Sequence, residues 1–293
     1  MKNVSPLLTK ITVITPSFNQ GKFLEESILS VINQLYPNLE FIIIDGGSTD
    51  NSVEIIKKYE KWISYWVSEP DCGQSHAINK GLRKATGDII FWLNSDDICL
   101  PNSFDKVIKA FLSNPEYKLV IGQAQEIDRN GNVIGVLPSE FSSWEEIVTS
   151  PRNSIRQIST FFSKCLFDEL GMIDESLHIA MDNDLLVRFS KYYKPLILED
   201  YLTAYRSHEE AKTYHQILKG YKEIDNTRPK YLKDKSLKNR YSEKSAKNWL
   251  SLSESNKFSS SERLKCLYNS LKQKPTFLFT IGFWYSFKKI IRN

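Results

Sequence analysis

Through the first 120 residues, short runs of β-branched and aromatic residues alternate with segments whose apolar positions recur at helical spacing. A chain patterned this way folds as α/β layers, with helices on the faces of a largely parallel sheet. ITVIT (11–15) reads as the first strand and FIIID (41–45) as the second, with a helix between them carrying Leu24, Ile28, Val31, Ile32 and Leu35. The next helix begins near Asn51, with Glu54 as a capping-box partner three residues on. Ile78, Gly81, Leu82 and Ala85 mark another helix, closed by Gly87, before the strand DIIFWL (88–93). Pro101 opens a helix bearing Phe104, Val107, Ile108, Phe111 and Leu112. Asn130-Gly131 inside AQEIDRNGNVIGVL signals a hairpin. ISTFFS reads as a strand, NDLLVRFSKYY as a helix, and LILE and LTAYR as two short strands. Beyond about residue 207 strand signals give way to Lys-rich helices.

The length, 293 residues with 41% hydrophobic and 25% charged content, suits one substantial core with an appendage and excludes general disorder. Cys72, Cys99, Cys165 and Cys266 are far apart and form no CxxC pair, which argues against a zinc cluster or a disulfide framework and fits a reducing cytoplasm. MKNVSPLLTKITVITPSFN has no charged-then-apolar leader with a cleavage site, so no secretory signal is expected. Charge is unevenly placed: residues 1–206 hold 20 basic and 27 acidic side chains, residues 207–293 hold 19 and 8. That split predicts an acidic body able to hold a metal and a basic tail drawn to an anionic surface. The basic residues do not interleave with strand ends in the manner of an RNA-binding fold, so nucleic acid is not expected as a partner.

Three strands end in polar or acidic clusters: TPSFNQG, DGGSTD and NSDD. In open α/β sheets, ligands bind beyond the carboxyl ends of the strands, so the clusters together point to one cleft. Asp45 sits where a strand-end carboxylate accepts from a ribose or base edge, and Gly46 and Gly47 let backbone approach a ligand. Neither GxGxxG nor GxxxxGK[ST] occurs, which counts against dinucleotide and ATPase readings. Asp96 and Asp97 follow a strand that reads as buried, where adjacent carboxylates would repel. An Asp helix cap ahead of Pro101 explains one of them; a Mg²⁺ ion shared with substrate phosphates explains both.

The order TPSFNQ, IIIDGGSTD, SEPDCGQSHAINKG, FWLNSDD, QISTFFSKCLFDELGMIDESLHIAMDNDLLVRF and YRSHEEAKT, over residues 11 to about 213, resembles the inverting GT-A glycosyltransferases of family 2. The resemblance implies a GT-A fold: a mostly parallel central sheet flanked by helices, here with a C-terminal helical extension. It implies a catalytic domain over 1–206, its nucleotide-sugar half running to about residue 120 and its acceptor half over 121–206, with 207–293 as the extension. It implies a nucleotide-diphospho-sugar donor, with UDP the expected nucleotide, and a Mn²⁺ or Mg²⁺ cofactor. The sugar moved would be of hexosyl or N-acetylhexosaminyl type. The donor site is carried onto Thr15, Pro16, Ser17, Asn19, Asp45, Ser48, Asp71, Gln74, Lys80, Asn94 and Ser95. Asp96 becomes the metal-coordinating member of a DxD-like element, with Asp97 as a further contributor. The family often has Asp where this chain has Asn94, which removes one carboxylate from the loop.

Inverting transfer needs a carboxylate to take the acceptor proton and positive charge to receive the leaving diphosphate. Asp182, opening the helix that follows AMDND, aligns with the family's catalytic base, and the helix dipole favours its ionised form. By pattern alone Asp182 is as readily an N-cap. Asp184 is the rival, read as an acceptor-side or supporting group; Met181 stands where the family usually has an acid. His208 in YRSHEEAKT matches a histidine placed near metal and diphosphate, and Arg188 is expected in an internal ion pair. The acceptor implied is a glycan or lipid-linked glycan of surface-polysaccharide synthesis. The alternatives are a sugar-1-phosphate nucleotidyltransferase and a catalytically silent sugar-nucleotide or glycan-binding module. TFLFTIGFWYSF (276–287), followed by Lys288, Lys289 and Arg292, is too short to span a bilayer. It suits peripheral docking on the cytoplasmic membrane face; in the other reading Phe277, Ile281 and Trp284 pack on the catalytic domain.

Overall fold

The computed structural model describes residues 9–152 and 154–291. In chain order the elements are β1 (Ile11–Ser17), α1 (Leu24–Ile32), β2 (Leu39–Asp45), α2 (Ser52–Lys58), β3 (Tyr65–Ser68), α3 (Gln74–Lys84) and β4 (Ile89–Trp92). There follow β5 (Ile98–Cys99), α4 (Ser103–Ser113), β6 (Leu119–Ile127), β7 (Val133–Leu137), α5 (Trp144–Thr149), β8 (Thr160–Ser163), α6 (Cys165–Leu170), α7 (Met181–Ser190) and β9 (Leu196–Arg206). The remainder is α8 (Lys212–Thr227), α9 (Lys235–Ser253), α10 (Ser260–Gln273) and α11 (Ile281–Ile291). Two compact units result: residues 1–141 with 154–220, and residues 142–153 with 221–293.

The first unit is built on a nine-stranded sheet ordered β3-β2-β1-β4-β8-β6-β9-β5, with β7 paired to β6. β1, β2, β3 and β4 are all parallel. Past β4 the pairing turns mixed: β8 is antiparallel to β4 and β6, while β6 and β9 run parallel. β1 and β4 are buried along their whole length, as expected for strands covered by helices on both faces. The core on one face joins Val13, Phe41, Ile43 and Phe91 to Leu24, Ile28 and Val31 of α1 and to Phe104 and Val107 of α4. The Phe91 and Phe161 rings stack with centroids 4.1 Å apart.

Four local expectations are corrected. α1 stops at Ile32, and Leu35, in a left-handed turn (φ 51°), is 84% exposed rather than on the helix stripe. At α2, no side-chain cap forms on Asn51; Asp50 instead accepts from the Ser52 amide at 3.0 Å and the Gly21 amide at 2.9 Å, tying two loops together. Gly87 does not close α3, which ends on Ala85 in an extended conformation. Its lack of a side chain serves close packing, because a Cβ there would lie 2.5 Å from Thr12 Oγ1 and 2.8 Å from the Lys10 carbonyl. LILE and LTAYR form one strand, β9. The polar LEDY stretch that looked like a break sits where register with β6 shifts, so a bulge carries the strand through.

Among the described residues, the secondary-structure elements of the second unit are helices. Half-buried Asp225 organises it, accepting from Tyr241, from Ser245 Oγ at 2.7 Å and from Trp249 Nε1 at 2.7 Å. Glu146 of α5 pairs with Arg240 and with Lys244 of α9, the latter at 2.7 Å. Leu267 of α10 packs with Phe283 and Ile290 of α11. The apolar tail is therefore divided. Phe277, Phe283 and Ile290 are buried, whereas Ile281 and Trp284 are exposed. Arg292 lies outside the described residues. Among the described residues no helix is long and apolar enough to cross a membrane.

Candidate active site

The parallel register sets Ser17 beside Asp45 and Ile14 beside Trp92, so the three polar clusters leave the sheet at one edge. A cleft of about 680 Å³ opens there, lined by Pro16, Ser17, Gly46, Asp71, Gln74, Asn94, Ser95 and Asp96. The facing wall comes from His178, Ile179, Met181, Tyr205 and the segment around Lys212. Thr15 Oγ1 and Ser17 Oγ are buried without a hydrogen-bond partner at the end of β1. Ser17 is one of the residues of the cleft wall.

The loop after β2 is held by Asp45. Its carboxylate accepts from Gly47 N at 3.2 Å, Ser48 N at 2.8 Å, Ser48 Oγ at 2.5 Å and Ser68 Oγ at 2.6 Å. Both oxygens are thus engaged in shaping the loop, with Gly47 at φ 82°, and Asp45 is not among the cleft-lining residues. Asn19 clasps this loop to the first: its backbone N–H donates to Ser48 Oγ at 2.7 Å and its side-chain Oδ1 accepts from Thr49 N at 2.8 Å. Asp71 stays on the cleft wall, accepting from Gly73 N at 2.7 Å. Lys80 pairs with Glu69 at 2.7 Å and does not line the cleft.

In the NSDD loop the two carboxylates part company. Asp97 turns inward, 1% exposed, its Oδ1 accepting from the Arg206 amide at 3.0 Å and its Oδ2 from Asn94 Nδ2 at 3.0 Å. Burial, and then the neighbouring Asp96 charge, push its pKa well above the usual carboxylate range. Asp96 faces the cleft, its Oδ2 3.1 Å from His208 Nε2. The Asn94 amide explains why Asp is absent there. Its Oδ1 accepts from Gln74 Nε2 at 2.9 Å and Trp92 Nε1 at 2.8 Å while its nitrogen donates to Asp97, a donation no carboxylate could make. Among the described residues no group of three or more His, Cys, Asp or Glu gathers as a closed metal cage. The Asp96–His208 pair suits a more open site, since Mg²⁺ and its like take one or two protein donors and complete their shell with water and substrate phosphates. Neighbouring donors of one octahedral ion lie about 3 Å apart at 2.0–2.1 Å bond lengths, so the residues present fit such an ion.

α7 begins at Met181 with Ala180 as its N-cap, so Asp182 stands in the first turn and is not the cap. It is half-buried, next to the cleft-lining Met181. Asp184 is 3% exposed and faces Arg188 of the same helix at 3.9 Å. The Arg188 guanidinium also donates to the carbonyls of Gly171 at 2.7 Å and Met172 at 2.6 Å, anchoring the helix to the segment before it.

Three residues that pattern reading passed over belong to this site. Arg206 is 1% exposed and braces the NSDD loop: its Nε donates to the Asp96 carbonyl at 3.0 Å, and it pairs with Glu26 at 2.6 Å. Its position two residues before His208 is the sequence signal that was available. Lys212 lines the cleft with its ammonium 3.4 Å from Gln74 Oε1. Tyr205 also lines it; burial, then the charges of Asp97, Asp96 and Glu126, push its hydroxyl up to about 12, so it stays a donor at neutral pH.

Residues 12–167 match the model of glycosyl transferase family 2. An uncharacterized glycosyltransferase of Rickettsia typhi is 27% identical over 71% of this chain and 66% of its own length. One from Haemophilus influenzae is 37% identical over 42% of this chain and 50% of its own length. The chain thus matches a half to two-thirds of each of these relatives. Among solved structures, S. aureus TarS (residues 1–349) superposes with a TM-score of 0.65 at 18% identity, over 91% of this chain and 81% of that one. The same protein has been solved with UDP-GlcNAc. The Pyrobaculum calidifontis mannosyltransferase PcManGT, solved with GDP-Man and Mn²⁺, has a TM-score of 0.54 at 16% identity over 96% of this chain and 79% of its own. With its three strand-end loops meeting at one cleft and the family pattern running from β1 into α6, this chain belongs to glycosyl transferase family 2 and is a glycosyltransferase of GT-A fold.

Proposed function

We propose that the enzyme moves a sugar from a nucleotide-diphospho-sugar, a UDP-sugar foremost, to a hydroxyl of a glycan or lipid-linked glycan, with inversion. The observation that carries this reading is that the donor loops, the Asp96–His208 pair and the first turn of α7 border a single cleft. Residues up to about 120 hold the donor in this reading and residues 121–206 shape the acceptor side. Bound diphospho-sugars in the two structural neighbours support the donor class. A lipid-linked acceptor of surface-polysaccharide synthesis would bring the enzyme to the cytoplasmic face of the membrane.

Asp182 takes the proton as the acceptor oxygen attacks the anomeric carbon. The new C–O bond forms as the bond to the diphosphate oxygen breaks on the opposite face, and the electron pair leaves with the diphosphate. A Mn²⁺ or Mg²⁺ ion, held by Asp96 and His208, would supply Lewis-acid neutralisation of that leaving group. Lys212 and the Tyr205 hydroxyl add charge and a hydrogen-bond donor on the facing wall.

The test is nucleoside diphosphate release from a panel of sugar nucleotides, with donor binding followed separately. Asp182→Asn should keep donor affinity and lower turnover by a factor of about 10²–10⁴, the usual contribution of a positioned base. An active Asp182→Asn beside a silent, folded Asp184→Asn would transfer the assignment to Asp184.

A further inference from the structure

α11 is apolar on both faces. Phe283, Ser286 and Ile290 face inward, while Ile281, Trp284, Tyr285, Lys288 and Ile291 follow one another at helical spacing on the opposite side. Ile281 is 90% exposed, Tyr285 and Ile291 each 64%, and Phe279 just ahead of the helix 85%. An ordinary surface helix keeps one apolar stripe and turns polar residues outward, so a second apolar stripe marks a helix with a second partner.

From this stripe we infer that the C-terminal helix lies in the plane of an anionic bilayer, with Phe279, Ile281, Trp284 and Tyr285 in the headgroup boundary and Lys288 beside them. Trp and Tyr flanked by lysine are the side chains this boundary favours. Charge selects the occupant. The sequence of the second unit carries 18 basic and 8 acidic residues, so anionic lipid is attracted to it whereas a second copy of the same unit is repelled. Length excludes insertion across the bilayer: the 11 residues of α11 extend about 16 Å against a hydrocarbon core of about 30 Å. The buried stripe holds α11 on α10 through Leu267, leaving the outer stripe free for lipid. The purpose of such docking rests on the lipid-linked acceptor proposed above, but binding itself needs neither donor nor acceptor, so either can fail without the other.

The experiment is sedimentation of the full chain with phosphatidylglycerol–phosphatidylcholine vesicles and with phosphatidylcholine alone, at two salt concentrations. The unaltered protein should partition onto the anionic vesicles at least tenfold better than onto neutral ones, and less at high salt. Substituting Phe279→Ser, Ile281→Ser and Tyr285→Ser together should lower partitioning at least tenfold with thermal unfolding and sugar transfer to soluble acceptors unchanged. Lys288→Glu should lower binding to anionic vesicles at least fivefold, given about a fivefold factor for each basic side chain at such a surface. Equal binding by the triple variant, or binding indifferent to lipid charge, would overturn the inference. So would a dimer in sedimentation equilibrium that the triple variant dissolves, without vesicle binding.

Discussion

Asp96 and Asp97 show how one residue's direction decides its chemistry. They are adjacent in sequence, yet one faces the cleft against His208 and the other is buried under the Arg206 amide and Asn94. Asn94→Asp would place a second carboxylate 3.0 Å from Asp97, where a donor now stands. It should therefore destabilise the protein at pH 7 by about 1–3 kcal/mol, the penalty for unpairing a buried polar group, measured by denaturant unfolding. A stability equal to that of the unaltered protein would mean that the amide is not the donor to Asp97. Asp96→Ala should remove most divalent-cation dependence and most transfer activity while the unfolding midpoint holds. Full turnover in chelator would dismiss the metal role for both Asp96 and His208. That the Asp pair ends a buried strand was legible in the sequence, but not the different directions its two side chains take. Arg206, which imposes that difference through the Asp96 carbonyl, is remote from the loop in sequence.

At the scale of elements, the opposite ends of the strands are tied together by a carboxylate that does not line the cleft. Glu40 at the start of β2 accepts from Thr12 Oγ1 at 2.6 Å, Thr86 N at 2.7 Å, Thr86 Oγ1 at 2.6 Å and Lys10 Nζ at 2.9 Å, joining β1, β2 and the turn between α3 and β4. Burial alone would raise its pKa, but the hydrogen bonds from Thr12, Thr86 and Lys10 outweigh it and bring the carboxyl down from 4.5 to about 2. A carboxyl lowered on folding stabilises the folded state fully above its unfolded value and loses that contribution as pH falls toward its folded one. The stability difference between the unaltered protein and Glu40→Gln should thus be largest near pH 6 and shrink between about pH 4.5 and 2. A difference constant over that range would show the network to be inert. The same region carries Gly87, which helix patterning assigned to a cap and which close approach to Thr12 and Lys10 in fact requires. Element type was readable where apolar period and length agreed, as in β1, α3 and α4. It misled at β9, because a bulge lets polar residues remain in a strand, and pairing with β6 leaves no mark on β9's own sequence.

For the whole molecule, the unit division joins the short segment 142–153 to the C-terminal helices. α5 buries Ile147 and Val148, and its Glu146 pairs with Lys244 of α9 at 2.7 Å. Ending the chain after Gly220 should therefore expose the apolar side of α5 and lower soluble yield and unfolding midpoint, even though the sheet is complete. A truncation that is as soluble and as stable as the full chain would show α5 to be indifferent to α9. The sequence alone determined the α/β class, the order of the strand-end clusters, the family and the apolar character of the tail. Each of these rests on periodicity or motif order, which is local information. Tertiary structure decided which side chains of those clusters face the cleft, which hydrogen bonds Asp45 and Asp97 make, that Lys212 and Tyr205 reach the cleft, and which face of α11 remains exposed. Asp45 and Asn94 also use neighbours two or three residues away, but the directions of Asp96, Asp97 and Lys212 depend on partners more than a hundred residues away, met only once the sheet has brought them together.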